Sequence, residues 1–296
     1  APDERDDLPQ VAQYLAEIQD ERFPRGELIT YLEGEILRRH GAKLRGRIDE
    51  ATLADLSREA RLQALISAVG EALRDSNTKE PDKNKPAEPH AILASLPCPI
   101  YITTNPDNLM ADALRAAKKV PQVQVFDWRS EVQSGPLIEP FDRLSPKAER
   151  APLVYHLFGC LDQVDSLVLT EDDYFDYLIN FAVKRDVVPE AIRRSLTGSS
   201  LLFLGFRVDE WDFRVLFRSI MNREGAVRLK KPQFAHVAVQ IDPEQGRVLE
   251  PELARRYLEG YFSGAQITIY WGTASKFLTQ LSEKWESAKR AQAALV

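Results

Sequence analysis

From Pro97 onward the chain repeats one pattern, a short apolar run without strict alternation followed by a stretch of helical periodicity. The runs are Ile100 to Thr104, Val123 to Trp128, Leu153 to Phe158, Leu201 to Phe206, Phe234 to Ile241 and Ile267 to Trp271. Helical periods follow at Asn108 to Lys118, Asp172 to Val183, Pro189 to Leu196, Asp209 to Asn222, Pro251 to Tyr261 and Ala274 to Ala288. A strand exposed on one face alternates polar and apolar residues; a strand buried on both faces does not. Strands of the second kind, separated by helices, predict an α/β fold with a mostly parallel sheet covered by helices on both faces. In such sheets ligands bind beyond the carboxyl ends of the strands. The residues just after each run are therefore the candidates for function.

The first 75 residues differ. Val11, Tyr14, Leu15 and Ile18 recur at helical spacing, as do Leu28, Tyr31, Leu32, Ile36 and Leu37, and a third helix is expected over Ser57 to Leu73. The stretch from Asp75 to Pro89 has three prolines and almost no apolar residue, and reads as an exposed loop. The expected division is a helical portion at 1–75, a loop at 76–89 and the α/β core at 90–296. A net charge of −6 does not favour broad nucleic-acid binding, which needs clustered Lys and Arg. Two cysteines, Cys98 and Cys160, are too few for a disulfide framework or a Cys-rich zinc site, and no metal is expected. No apolar run is long enough to span a membrane and no signal-peptide pattern opens the chain, so a cytoplasmic setting is expected.

Three segments carry residue types suited to chemistry. Thr103-Thr104-Asn105-Pro106-Asp107-Asn108 follows the first run directly. Asn105 can donate and accept, as a ribose hydroxyl or a water requires, yet Asn, Pro and Asp also build turns and helix caps. Tyr155-His156-Leu157-Phe158-Gly159-Cys160 places a histidine at the end of a buried run, either as a general base or as a hydrogen-bonded structural residue. Gly205-Phe206 ends another run where a ligand can approach the backbone. The carboxylates that follow, Asp209, Glu210 and Asp212, suit a helix N-terminus without any function. Trp271-Gly272 has the same shape, and either borders an adenine ring or simply ends a strand.

The order and spacing of these segments resemble the bacterial SIR2-like, zinc-ribbon-lacking NAD-consuming family. Ile102 to Asn108 resembles its Asn/Asp loop, and Val154 to Asp162 the strand carrying its His-Gly pair. Val168 to Tyr174, Leu202 to Arg214 and Tyr270 to Gly272 are similar to later segments, so the resemblance spans roughly residues 97–286. It implies a Rossmann-like fold that binds NAD and cuts its nicotinamide–ribose bond, in many bacterial members as an oligomeric antiphage effector joined to a sensor module. Asn105, Asp107 and His156 are then the catalytic candidates. Thr103, Thr104, Phe158, Gly159, Gly205, Phe206, Trp271 and Gly272 are the expected contacts to NAD or ADP-ribose. Protein deacetylation does not fit, because the four-cysteine zinc ribbon of sirtuin deacetylases is absent.

Two features depart from the family pattern. No Gly-rich phosphate loop precedes Asp7; either it was lost upstream of Ala1, the option favoured by the non-methionine start, or another segment replaces it. Aligned on Gly159, the family's histidine position holds Phe158, with His156 two residues earlier. Strand alternation puts 156 and 158 on one face, about 6.6 Å apart. The aromatic ring either stacks on nicotinamide or plugs the pocket. Three functions remain open: an NAD hydrolase, a weakly catalytic NAD or ADP-ribose sensor or scaffold, and a ligand-free interaction domain.

Overall fold

The computed structural model describes residues 7–79, 88–129, 147–183, 198–205, 236–240, 250–263 and 267–293, with Pro189, Ile192 and Ser195. The expected helices at Pro189 to Leu196 and Asp209 to Asn222 fall largely or wholly outside these residues, as does Phe206. The chain divides into two compact units, Ala1–Asp82 with Pro97–Pro189, and Lys83–Leu96 with Glu190–Val296.

In the first unit, helices α1 (Leu8–Ile18), α2 (Phe23–Leu44), α3 (Glu50–Ala54) and α4 (Arg58–Lys79) precede strand β1 (Ile100–Thr103). Helix α6 (Leu109–Ala116), strands β2 (Gln122–Val125) and β3 (Leu153–His156), and helix α7 (Glu171–Val183) follow, α5 lying in the second unit. Asp7 caps α1 by accepting from the Gln10 N–H, and the Ser57 hydroxyl accepts from the Ala60 N–H at the start of α4. Helix α4 continues to Lys79, inside the segment expected to be loop. Nothing before Pro81 forces it to stop, and isolated polar residues such as Asn77 lower helix propensity without breaking a helix.

The three strands pair in parallel in the order β1-β3-β2. β3 lies between the other two, with Thr103 and Val125 both in register with His156. All four residues of β3 are buried, the signature of a central strand with no face left to water. Beneath it, Ile29, Leu62, Leu161 and Leu167 join the α2–α4 pair to the segment after β3. Each such side chain contributes roughly 1.5–3 kcal/mol on burial. Helix α4 meets α6 at Gly70, where an added Cβ would lie 2.7 Å from Leu109 Cδ2. The Ser67 hydroxyl also donates to Asp112 there, at 2.6 Å. The N-terminal helices thus fix the start of α6, and with it the turn that follows β1.

The second unit holds α5 (Pro89–Ser95), β4 (Leu202–Phe203), β5 (His236–Gln240), α8 (Pro251–Ser263), β6 (Ile267–Trp271) and α9 (Ala274–Ala293). Its strands are again parallel, in the order β4-β5-β6, around Ala238, Leu258, Phe262 and Ile267. The described strands therefore form two three-stranded parallel sheets. α5 was not visible in the pattern because it is short. The Glu88 carboxylate makes it possible by accepting from the N–H groups of His90 and Ala91, with Pro89 at the first position.

Candidate functional site

Parallel pairing of β1 and β3 brings two loops to one edge of the sheet. The turn after β1 is tied to the segment after β3 by two backbone bonds, Leu157 N–H to Thr103 O (2.8 Å) and Leu161 N–H to Pro106 O (2.9 Å). Within the turn, the Asn105 N–H donates to Thr103 Oγ1 (3.0 Å), and Asp107 Oδ1 accepts from the Leu109 N–H (3.0 Å). Asp107, rather than Asn105, therefore supports the start of α6. The Asn105 residue is exposed, and its side chain makes no hydrogen bond among the described residues. Capping does not account for it.

His156 is fully buried, and its Nδ1 lies 3.1 Å from the backbone carbonyl of Asn105. A carbonyl only accepts, so Nδ1 carries the proton and Nε2 presents a lone pair. That Nε2 is buried and has no hydrogen-bond partner among the described residues. Burial holds the imidazole below the usual histidine range, opposed by the bond to Asn105 and by the charges of Asp107 and Asp162. The ring is therefore neutral at neutral pH. The structure brings Thr103, Thr104, Asn105, Asp107 and His156 to one loop pair.

Phe158 goes elsewhere. β3 ends at His156, and the chain turns through Gly159 at φ +89°. The Phe158 ring packs edge-on against Tyr177 (5.0 Å between centroids) and Tyr174 (6.0 Å). Phe126 touches the same Tyr177 and also Tyr155. Phe158 thus shares the aromatic cluster of Tyr155, correcting the expectation that it sits on the His156 face. The reason is that strand alternation ends where the strand ends. Gly159 approaches backbone, not open space: a Cβ there would fall 2.3 Å from Ser166 O. Gly205, Trp271 and Gly272 lie at the carboxyl edge of the second sheet. There the Gly272 N–H donates to Gln240 O (2.7 Å) and Trp271 Nε1 donates to Glu259 (3.1 Å).

A cavity of about 780 Å³ opens beside the first sheet, at the carboxyl ends of β2 and β3 and the first turns of α2 and α4. Its wall includes Arg25, Asp127, Trp128, Arg129 and Asp162. Two of its cations are already committed. Asp173 accepts from Arg25 and from Arg129, each at 2.7 Å, and from the N–H groups of Leu169 and Thr170. Arg129 also lies over the Trp128 ring, 4.7 Å from its centroid. Sequence reasoning missed this network because Arg25 and Asp173 stand 148 residues apart. Among the described residues, no group of three His, Cys, Asp or Glu side chains is arranged to hold a metal ion. No described helix is long and apolar enough to cross a membrane.

These features agree with comparisons to known proteins. The SIR2-like domain family matches residues 99–265, more than half of the chain. The chain is 33% identical over 120 residues to the NAD(+) hydrolase ThsA of Enterococcus faecium, covering 40% of this chain and 22% of that protein. It is 30% identical over 119 residues to NAD(+) hydrolase ThsA of Bacillus cereus (strain MSX-D12), covering 40% and 21%. Against NAD(+) hydrolase ThsA of Cytobacillus dafuensis it is 25% identical over 185 residues, covering 59% and 34%. The aligned stretches span about a fifth to a third of the length of these relatives. With its family segment running from the start of β1 to just short of β6, over more than half of its length, the chain belongs to the SIR2-like domain family.

Proposed function

We propose that this chain hydrolyses NAD at the nicotinamide–ribose bond, with Asn105, Asp107 and His156 as its catalytic set. The observation that carries this reading is the buried, unpartnered Nε2 of a neutral histidine beside an exposed and unengaged asparagine. An unsatisfied buried acceptor costs about 1–3 kcal/mol, and a catalytic role is one reason for a chain to retain it. In the reaction, the carbon–nitrogen bond breaks and its electron pair leaves on nicotinamide. Water adds to the ribose carbon and its proton passes to Nε2, giving ADP-ribose. The Asn105 amide orients the water or the ribose hydroxyls, and Asp107 holds the turn by bonding the start of α6. Thr103 and Thr104 border the ribose on the same turn. The relatives named NAD(+) hydrolase support the substrate. Service as an oligomeric, cytoplasmic antiphage effector joined to a sensor module belongs to the same proposal.

A second reading, a domain that binds NAD or ADP-ribose without cutting it, is favoured by two observations. Phe158, at the position where the resemblance puts the family's histidine, is packed among tyrosines, and Nε2 of His156 has no contact with solvent. Incubation with NAD, followed by chromatography of nicotinamide, separates the two. Release that disappears in both Asn105→Ala and His156→Ala supports hydrolysis at this site. Tight NAD binding with no release supports the second reading.

A further inference from the structure

Asn108 is not among the three residues given a catalytic part, yet it is buried between the two loops that carry them. Its Nδ2 donates to Asp162 Oδ2 at 2.5 Å, and its Oδ1 accepts from the Cys160 thiol at 3.7 Å. Both ends of one amide are thus engaged by the segment after β3, while its backbone is the first residue before α6. The contacts fix the amide's orientation, because the carboxylate can only accept and the thiol is the donor. Burial pushes the Cys160 thiol up to about 11, so it keeps its proton across the physiological range. Two and three residues before Asn108, Pro106 O meets the Leu161 N–H and Asn105 O meets the His156 ring. Residues 105, 106 and 108 are therefore each tied to the segment 156–162.

We infer that Asn108, Asp162 and Cys160 form a clasp that positions the Asn105 turn so that its carbonyl holds His156 in the Nδ1–H form. The clasp touches no reacting atom. It acts through the turn, and the inference rests on the hydrolytic reading only for its effect on turnover. Releasing it lets the Asn105 carbonyl drift from Nδ1, and the ring then loses the bond that selects its tautomer. A displacement of about 1 Å at a catalytic group costs on the order of a hundredfold in rate.

The test uses the full chain, with histidine ¹⁵N spectra and NAD turnover measured on the same samples. In the parent protein His156 reports one neutral tautomer, protonated at Nδ1. Asn108→Ala is expected to mix the tautomers and to lower kcat about a hundredfold with KM changed by less than about threefold. Asp162→Asn keeps an acceptor for the Asn108 amide, so the tautomer is retained. It also removes a charge that holds the imidazole pKa up, so the His156 titration moves to lower pH. Cys160→Ser keeps a donor and leaves the spectrum unchanged. If Asn108→Ala fails to fold, the contrast of Asp162→Asn with Asp162→Ala carries the comparison. An Asn108→Ala or Asp162→Ala protein that folds and keeps the parent tautomer overturns the clasp. Absence of NAD turnover in the parent would overturn hydrolysis instead, and the spectra would still decide the clasp.

Discussion

The ring Nδ1 of His156 and the backbone carbonyl of Asn105, 51 residues apart in the chain, meet at 3.1 Å. The bond joins the ends of two parallel strands and sets which nitrogen of the imidazole is left as a base. It survives only while the ring donates from Nδ1. Several measurable consequences follow from this contact and its surroundings.

Acid should destabilise both units. His156 is held below its ordinary value, so around pH 6 the unfolded chain binds the proton more readily than the folded one. Stability from this group is fully present above about pH 6.5 and is lost as pH falls toward the folded-state value, at up to about 1.4 kcal/mol per pH unit. His236 is shifted the same way by burial, and its Nδ1 accepts from the Leu201 N–H (3.2 Å), a bond that protonation removes. Urea midpoints between pH 5 and 8 should rise with pH and then level off. A midpoint that falls over that range would contradict the assignment.

Gly159→Ala should be among the most damaging single changes. The backbone there is left-handed, and the new methyl group would meet Ser166 O at 2.3 Å. Strain and overpacking together cost roughly 2–6 kcal/mol, read as a lowered denaturation midpoint. Alanine at Gly205, where nothing lies within 4 Å among the described residues, should cost only the backbone strain.

Asp173→Ala should leave the Arg25 guanidinium buried without its carboxylate. The two side chains are 4% and 10% exposed, so water cannot replace the lost partner. A loss of about 3–5 kcal/mol in unfolding free energy is expected. The double variant Asp173→Ala with Arg25→Met should recover part of it, because it removes the stranded charge.

Phe158→His tests whether the family's aligned histidine position is usable here. The side chain at 158 lies against Tyr174 and Tyr177, away from the Asn105 contact. The variant should lose stability without gaining nicotinamide release. A gain of tenfold or more would show that residue 158, not His156, occupies the working position.

Much of this arrangement was legible in the sequence, and the gaps have physical causes. The apolar runs at Ile100 and Leu153 showed buried parallel strands, and their ends marked Asn105 and His156 as neighbours of one sheet edge. The divergence of Phe158 from His156 was hidden, because it depends on Gly159 packing against residues 166 and 167. The pairing of Asn108 with Asp162 spans 54 residues and that of Arg25 with Asp173 spans 148, distances over which periodicity carries no information. Helix α5 escaped because seven residues beside two prolines hold too few turns to show a period. The same limit applies to Gly70, whose role is visible only once Leu109 is seen against it.

β3 pairs with two strands that both precede it. During synthesis β1 and β2 leave the ribosome with an unfilled slot between them, and neither pairs with the other. The sheet closes only when residues 153–156 arrive, and Asp173 then secures Arg25 from the far end of the unit. Formation of this sheet therefore depends on long-range pairing, which is slower than the local contacts that form a helical bundle. A nascent chain carries Asn105 for some fifty residues of elongation before His156 exists to meet it. The candidate site is thus assembled by the same event that completes the sheet, and a chain made only as far as β2 has none.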